Sequence, residues 1–149
     1  MPIGELAVRQ VVTAPRGTPA LDAAKLMRQY HVGDIVVTSE KAGKCLPVGI
    51  VTDRDIVLEV LAQGIDAARL SVDDIMSEDL ITVRESEGVF QTIQLMRAKG
   101  ARRAPVVDDQ GVLVGIISAD DFIDLLAEEL SELAKLISRE QKLEVEMRR

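Results

Sequence analysis

The chain has 149 residues, of which 47% are apolar and only 2% aromatic, so Val, Ile, Leu, Ala and Met must build its core. Its formal charge of −7, from 18 basic and 25 acidic residues, opposes nonspecific nucleic-acid binding, which needs a basic surface to displace counterions. No apolar run reaches the roughly 18 residues that a membrane span requires. We therefore expect no nucleic-acid partner and no membrane partner.

The single cysteine and the single histidine give no sign of a disulfide or of a metal site. Cys45 cannot form an internal disulfide, which favours a reducing cytoplasm. His31 has no Cys or Glu at metal-ligand spacing beside it, so we predict no metal and a loop histidine that closes the first helix, with a position near a ligand phosphate as the alternative. Residues 1–5 lack the basic and apolar regions of a signal peptide, and we expect a cytoplasmic protein.

The first half of the chain is predicted to contain a strand, a helix, a hairpin and a second helix. Thr18 is the expected N-cap of the first helix, with Pro19 at its first position. The predicted elements are an extended stretch near residues 11–13, a helix over 19–30, strands over 34–38 and 46–51, and a helix from about 53 to 62.

The second half repeats this order. Its predicted elements are a helix over residues 89–99 with Gly100 as C-cap, strands over 104–107 and 112–117 around a turn at 108–111, and a helix from 120 onward. Each half therefore has the predicted order β-α-β-β-α.

An internal duplication accounts for this shared order. Leu26-Met27-Arg28 returns as Leu95-Met96-Arg97, a shift of 69 (95 − 26), whereas the Gly49 strand matches the Gly115 strand with a shift of 66 (115 − 49). The first copy therefore carries three extra residues, most economically in the turn around residues 40–44. We predict an α/β fold of two tandem repeats packed with pseudo-two-fold symmetry, and such packing creates clefts suited to binding. The predicted divisions are residues 3–66 and 72–127 for the repeats and 128–149 for a C-terminal helical extension.

The last helix carries an apolar stripe. Phe122, Leu126, Leu130, Leu133 and Ile137 follow one another in steps of four, four, three and four residues. The stripe either covers the chain's own core or packs against a helix of a second copy. One helix over residues 119–149 would extend about 45 Å at 1.5 Å per residue, longer than a half-domain needs, which favours a homodimer.

The last strand of each repeat is followed by the same polar pattern. Thr52 stands three residues before Asp55, and Ser118 stands three residues before Asp121, each pair at the start of a helix. One interpretation is a capping box, in which hydroxyl and carboxylate satisfy backbone N–H groups. The other is ligand recognition, since a short carboxylate can accept two hydrogen bonds from a ribose diol. Both use the same groups and do not exclude each other.

With these two motifs, the duplicated β-α-β-β-α unit resembles a pair of CBS domains, the Bateman module, as found in stand-alone CBS-domain proteins. The resemblance covers about residues 3–126. It implies an adenosine-containing ligand such as AMP, ADP, ATP, NAD or S-adenosylmethionine, bound in clefts between the repeats. It also implies a homodimer that pairs through the helices following each repeat.

The resemblance implies a role for each position that matches the family's motifs. By this resemblance the ribose-binding aspartates are Asp55 and Asp121, the hydroxyls near ribose and phosphate are Thr52 and Ser118, and the threonines beside adenine are Thr13 and Thr82.

Basic residues near the expected phosphate position differ between the copies. Arg102 and Arg103 precede the second repeat's strand, where a basic residue of the family points at phosphates, whereas the first repeat has Gly33 and Asp34 there. Arg54 is either a ligand contact or a solvated first-turn residue. We expect Asp121 with Arg103 to form the better nucleotide site.

We therefore predict a non-catalytic regulatory module that senses energy state or a metabolite by binding an adenine nucleotide, with no catalytic cofactor. The ligand would bias the packing of the repeats or of a dimer. No nucleophile-base arrangement, P-loop or Rossmann fingerprint indicates an enzyme. The alternative is an oligomerisation or protein-interaction module with vestigial clefts that works through the C-terminal helix. Either function is compatible with an unidentified effector protein.

Overall fold

The computed structural model describes residues 1–77 and 79–148. The first half forms a three-stranded sheet in the order β1-β2-β3, in which β1 runs parallel and β3 antiparallel to β2. Its elements are helix α1 (Ile3–Leu6), strand β1 (Thr13–Pro15), helix α2 (Ala20–Tyr30), strands β2 (Asp34–Lys41) and β3 (Lys44–Thr52), and helix α3 (Asp53–Ile56), which continues as a π-helical turn over Val57–Leu61.

The second half repeats this architecture. Its strands form a second sheet in the order β4-β5-β6, with β4 parallel to β5. Its elements are helix α4 (Val72–Ile75), strand β4 (Val83–Arg84), helix α5 (Val89–Lys99), strands β5 (Arg103–Val107) and β6 (Leu113–Ser118), and helix α6 (Ala119–Met147). The predicted α/β fold of two β-α-β-β-α repeats followed by a long C-terminal helix is confirmed.

The segment that opens each repeat pairs with the sheet of the other repeat. Val8 forms an antiparallel bridge with Ile116 of β6, and Ser77 forms one with Ile50 of β3. The N–H groups of Val8 and Ser77 donate to the opposite carbonyl oxygens at 2.9 and 3.1 Å. The two bridges are related by the sequence shifts of 69 and 66 residues, so the crossings are equivalent and the repeats have pseudo-two-fold symmetry.

These crossings explain the glycine that is repeated in β3 and β6. A Cβ atom at Gly49 would clash with the side chain of Met76, and one at Gly115 would lie 3.0 Å from the carbonyl oxygen of Val8. At Gly115 the neighbour is the backbone of the crossing segment, and at Gly49 it is the Met76 side chain of the other crossing segment. The repeated glycines therefore belong to the packing of one repeat against the other.

The second crossing, in which Ser77 pairs with Ile50, has a side-chain anchor in Asp73 of α4. Its carboxylate accepts a hydrogen bond from the N–H of Gly17 at 2.9 Å and forms an ion pair with the Arg16 guanidinium at 3.1 Å. The N–H of Gly17, with Arg16 as a second partner, holds the pKa of the Asp73 carboxyl below its ordinary value. The folded state thus stabilises the ionised carboxylate.

The β2–β3 hairpin accommodates the extra residues of the first repeat. The two strands extend further than predicted, and their ends pair Lys41 with Lys44. Ala42 and Gly43 form the connection with φ angles of 52° and 75°, as in the two-residue turns that match strand twist. The three extra residues therefore lengthen this hairpin, as expected.

Helix ends confirm two predictions and correct a third. His31 closes α2 in the left-handed conformation with φ of 54°, and Gly100 closes α5 with φ of 65°. Thr18 as the N-cap of α2 was wrong, because Pro19 occupies the cap position. The hydroxyl of Thr18 donates instead to the carbonyl oxygen of Pro15 at 2.7 Å, which draws the side chain into the preceding turn.

The core of the first repeat is aliphatic, as the composition predicted. Two of its side chains come from α4, so the opening helix of the second repeat completes the core of the first. The buried members are Ala14, Ala20, Ala23, Met27, Ile35, Val37, Val51, Val60, Val72 and Ile75.

Residues from Ser118 onward form a separate compact unit. Helix α6 has 29 residues and a length of about 43 Å at 1.5 Å per residue. Among the residues that the structure describes, no helix is both long and apolar enough to cross a membrane.

Candidate functional site

A hydroxyl and a carboxylate meet at the start of the helix that follows each repeat. In the first repeat the N–H of Thr52 donates to Asp55 Oδ2 at 2.8 Å, and the N–H of Asp55 donates to Thr52 Oγ1 at 3.1 Å. Ser118 and Asp121 make the same two bonds at 2.8 and 3.3 Å. Both predicted capping boxes are confirmed, and they fix the orientation of each carboxylate.

Capping leaves part of the Asp55 carboxylate for another partner. The cap occupies Oδ2, and within residues 1–77 and 79–148 no donor is hydrogen-bonded to Oδ1. Asp55 is half-buried, and an ionised carboxylate has about four acceptor positions. The side chain can therefore hold the cap and accept hydrogen bonds from ligand hydroxyls at the same time.

Thr52 and Asp55 line a cavity of about 210 Å³ that lies between the two repeats. Its first wall comes from the end of β3 and the start of α3, and its second wall comes from the segment before β4 and the start of β5. The lining residues are Ile50, Thr52, Asp55, Ser77, Asp79, Leu80, Ile81, Ala101, Arg102 and Arg103. The cavity therefore combines an apolar part with two carboxylates and two guanidinium groups.

Arg103 forms an ion pair with a carboxylate of the first repeat. Its Nε atom lies 2.9 Å from Asp34 Oδ2, and the two side chains are 35% and 22% exposed. Arg103 begins β5 and Asp34 begins β2, so the ion pair joins the repeats at the edge of the cavity. Partial burial protects such a pair from screening by salt.

Arg103 lines this cavity together with residues of the first repeat. The sequence grouped Arg103 with Asp121 of its own repeat, which stays a prediction, and the cavity adds Thr52 and Asp55 as its neighbours. The crossing of the repeats is the physical reason, because the bridge from Ser77 to Ile50 brings the opening segment of the second repeat beside β3.

Three other predicted site residues lie apart from these groups. Thr13 lines a different cavity of about 680 Å³, together with Tyr30. Thr82 lines a third cavity of about 410 Å³. Arg54 is exposed, and its backbone N–H donates to the Asp53 carboxylate at 2.8 Å. The structure thus brings Thr52, Asp55, Arg102 and Arg103 together and holds Ser118 with Asp121 in a cap.

The apolar wall of the cavity was missed by sequence reasoning. Leu80 and Ile81 lie just before the threonine expected beside adenine. Their counterparts at the shift of 69 are Val11 and Val12, which were treated only as an extended stretch. Both repeats have two apolar residues directly before a threonine, and this pattern could have predicted the apolar wall. No group of three His, Cys, Asp or Glu side chains within the described ranges is arranged to hold a metal ion.

The family model for the CBS domain matches residues 3–62 and 72–128. The chain belongs to the CBS-domain family. A protein of Methanopyrus kandleri is 39% identical over 123 residues, which are 83% of this chain and 61% of the relative. The mitochondrial CBS domain-containing protein CBSX3 of Arabidopsis thaliana is 35% identical over 113 residues, 74% of this chain and 54% of the relative. This CBS protein therefore spans between half and two thirds of the length of these relatives.

Two solved CBS structures have the same fold. The CBS domain pair of protein MJ0100, in complex with 5′-methylthioadenosine and S-adenosylmethionine, is 26% identical with a TM-score of 0.74, covering 87% of this chain and 98% of that one. A CBS domain protein of Pyrobaculum aerophilum complexed with AMP is 30% identical with a TM-score of 0.71, covering 81% and 89%. Both of these neighbours therefore bind adenosine derivatives.

Proposed function

We propose that this CBS pair is a non-catalytic regulatory module that binds an adenosine-containing ligand in the cavity between its repeats. The cavity lined by Thr52, Asp55 and Arg103 carries the proposal, because it joins a ribose-type acceptor to cations at an inter-repeat interface. The adenosine ligands of the two structural neighbours support this class of ligand. AMP, ADP, ATP and NAD are the candidates to test first.

Each group in the cavity suits one part of such a ligand. Asp55 would accept hydrogen bonds from the ribose hydroxyls through the oxygen that the cap leaves available. Leu80 and Ile81 would contact the apolar faces of the base, and Arg102 and Arg103 would bind a 5′ phosphate. The ligand would touch both repeats at once, so it would favour the arrangement of the repeats to which it binds best.

We further propose that residues 3–66 and 72–127 are the two ligand-binding repeats. Ser118, Asp121, Thr13, Thr82 and Arg54 remain proposed ligand contacts. In the first repeat the position equivalent to Arg103 is Asp34, which offers no cation to a phosphate.

Calorimetric titration of nucleotide-stripped protein with AMP, ADP, ATP and NAD tests the proposal. We expect saturable binding of at least one of them, and mass spectrometry of the small molecule released from purified, denatured protein would identify the natural ligand. An absence of binding by all four at millimolar concentration, in protein with an intact thermal transition, would contradict the proposal.

The second candidate function is oligomerisation through α6. Of the apolar stripe, Phe122 is buried, whereas Leu126, Leu130, Leu133 and Ile137 are each more than half exposed. Covering such a stripe with a helix of a second copy would remove a large apolar surface from water. We propose that the stripe pairs two copies of this chain, whether or not the cavity binds a nucleotide.

Light scattering on a double variant of α6 tests this candidate. Leu130→Glu with Leu133→Glu should convert a dimer to a monomer, because a charge in an apolar interface is strongly unfavourable. Ser131→Glu with Lys135→Glu, outside the apolar stripe, is the matched control. Unchanged oligomeric state in the leucine variant would exclude the stripe as the interface.

A further inference from the structure

Asp34 and Arg103 occupy equivalent positions in the two repeats. They are 69 residues apart, the shift of the duplication, and each is the first residue of its repeat's central strand. The structure joins them in an ion pair of 2.9 Å. Two copies of the same residue at this meeting point would bring like charges or like groups together. The opposite charges found here show that the two repeats differ at this position, in a way that lets them attract each other.

The carboxylate of Asp34 lies beside the cavity as well as beside Arg103. Asp34 is the direct cross-strand partner of Thr52 in the β2–β3 register. Residues directly opposite in an antiparallel pair project to the same face of the sheet. Asp34 therefore adjoins two residues that line the cavity, Thr52 and Arg103, and only 22% of its side chain is exposed.

We propose that Asp34 is a specificity-determining residue that disfavours di- and triphosphates, which makes adenosine derivatives with a neutral or singly phosphorylated 5′ group the ligands of this site. The inference rests on the proposed function. Its physical basis is charge, because Asp34 already neutralises the cation that would meet the phosphates. A longer phosphate chain brings more negative charge toward the carboxylates of Asp34, Asp55 and Asp79. Arg102 and Arg103 do not outnumber these carboxylates, so this group of residues has no excess of positive charge.

Geometry adds to this effect of charge. The ion pair engages Nε of Arg103, whereas a guanidinium carries five N–H donors in a fixed fork. One phosphate can be met by the remaining donors while Asp34 keeps the side chain in place. A triphosphate would need further cations, and its repulsion from the carboxylates grows with each added phosphate. A 5′-methylthio group carries no charge and is indifferent to Asp34.

Titration of Asp34→Asn with 5′-methylthioadenosine, AMP, ADP and ATP, in the absence of magnesium, tests the inference. We expect affinity to rise by roughly tenfold for ATP, by about threefold for AMP and by less than about twofold for 5′-methylthioadenosine, because only charged groups feel the lost carboxylate. Asp109→Asn removes the same charge from an exposed turn residue and is the matched control, with equal small changes for all ligands expected.

An equal change in affinity for all four ligands in Asp34→Asn, or a loss confined to the phosphorylated ones, would overturn the inference. The unsubstituted protein supplies an independent measurement that does not depend on the variant's folding. It should bind AMP more tightly than ATP, and the opposite order would also overturn the inference. Failure of the unsubstituted protein to bind any of the four would instead contradict the proposed function.

Discussion

The first repeat begins its central strand with Asp34, and the second begins the equivalent strand with Arg103. The backbone is the same at both positions, and so is the hydroxyl–carboxylate cap at the end of each sheet. Charge at the strand start therefore differs where the architecture does not. The comparison shows that both repeats keep the fold and the capping carboxylate, while Asp34 and Arg103 give the two strand starts opposite charges.

The two crossings of the repeats use different side chains. In the first crossing the N–H groups of Ile3 and Gly4 donate to carbonyl oxygens of the second repeat at 2.7 and 2.8 Å. In the second crossing the position equivalent to Gly4 is Asp73, whose carboxylate adds a bond to Gly17 and an ion pair. Both crossings therefore combine backbone pairing with an ion pair, Arg9 with Glu85 at 3.4 Å in the first and Arg16 with Asp73 at 3.1 Å in the second.

The largest expected effect is a difference in ligand affinity between variants of the two capping carboxylates, Asp55 and Asp121. Asp55→Ala should weaken adenosine-ligand binding by roughly 100-fold, because charge-assisted hydrogen bonds to the ribose are lost. Asp121→Ala is the matched control, since it removes the same cap and should cost a similar 1 kcal/mol or so of stability. Calorimetry and thermal unfolding measure both quantities. A greater loss of affinity in Asp121→Ala would show that Asp121, and not Asp55, is the main acceptor for the ligand.

An intermediate effect, on the free energy of unfolding, is expected at the Asp73 anchor of the second crossing. Asp73→Ala should lower the free energy of unfolding by about 1–2 kcal/mol at neutral pH, since a charge-assisted hydrogen bond and an ion pair are lost. Because the pKa of Asp73 is lowered in the folded state, its stabilisation is complete above the unfolded value near 3.8 and disappears as the pH falls through the folded value.

Denaturant unfolding from pH 7 down to pH 3 measures this dependence. The difference between Asp73→Ala and the unsubstituted protein should shrink as the solution becomes acidic. Asp109→Ala, at an exposed turn of the second repeat, is the control and should change stability little. A difference that stays constant across this range would show that the contribution of Asp73 does not come from its charge.

The smallest expected effect concerns the hairpin that distinguishes the first repeat by length. Ala42 has a φ of 52°, a left-handed conformation that asparagine tolerates better than alanine. Ala42→Asn should therefore raise the unfolding free energy by about 0.5 kcal/mol, whereas Gly43→Ala, at a φ of 75°, should lower it by about 1 kcal/mol. Neither change should alter ligand affinity. Changes of the same sign would contradict the turn geometry.

Local features of the chain were predictable because they depend on neighbours in sequence. Short apolar runs on either side of a turn predicted the strands, and hydroxyl-to-aspartate spacing predicted both capping boxes. Gly100 and His31 were recognisable helix ends for the same reason. Thr18 was the exception, because its hydroxyl donates to the carbonyl oxygen of Pro15 instead of accepting from an N–H group at the start of α2.

The sequence by itself determined the duplicated fold through the repeat shift, and the aliphatic core through composition. It also determined the two capped carboxylates, because these depend on spacing within a few residues. Only the tertiary structure decided that Arg103 pairs with Asp34 and lines a cavity with Asp55. That choice depends on the crossing of the opening segments, which pairs residues such as Ser77 and Ile50 that lie far apart in the chain. Residue spacing carries no record of such long-range pairing, so the charge pattern of the cavity became visible only in the fold.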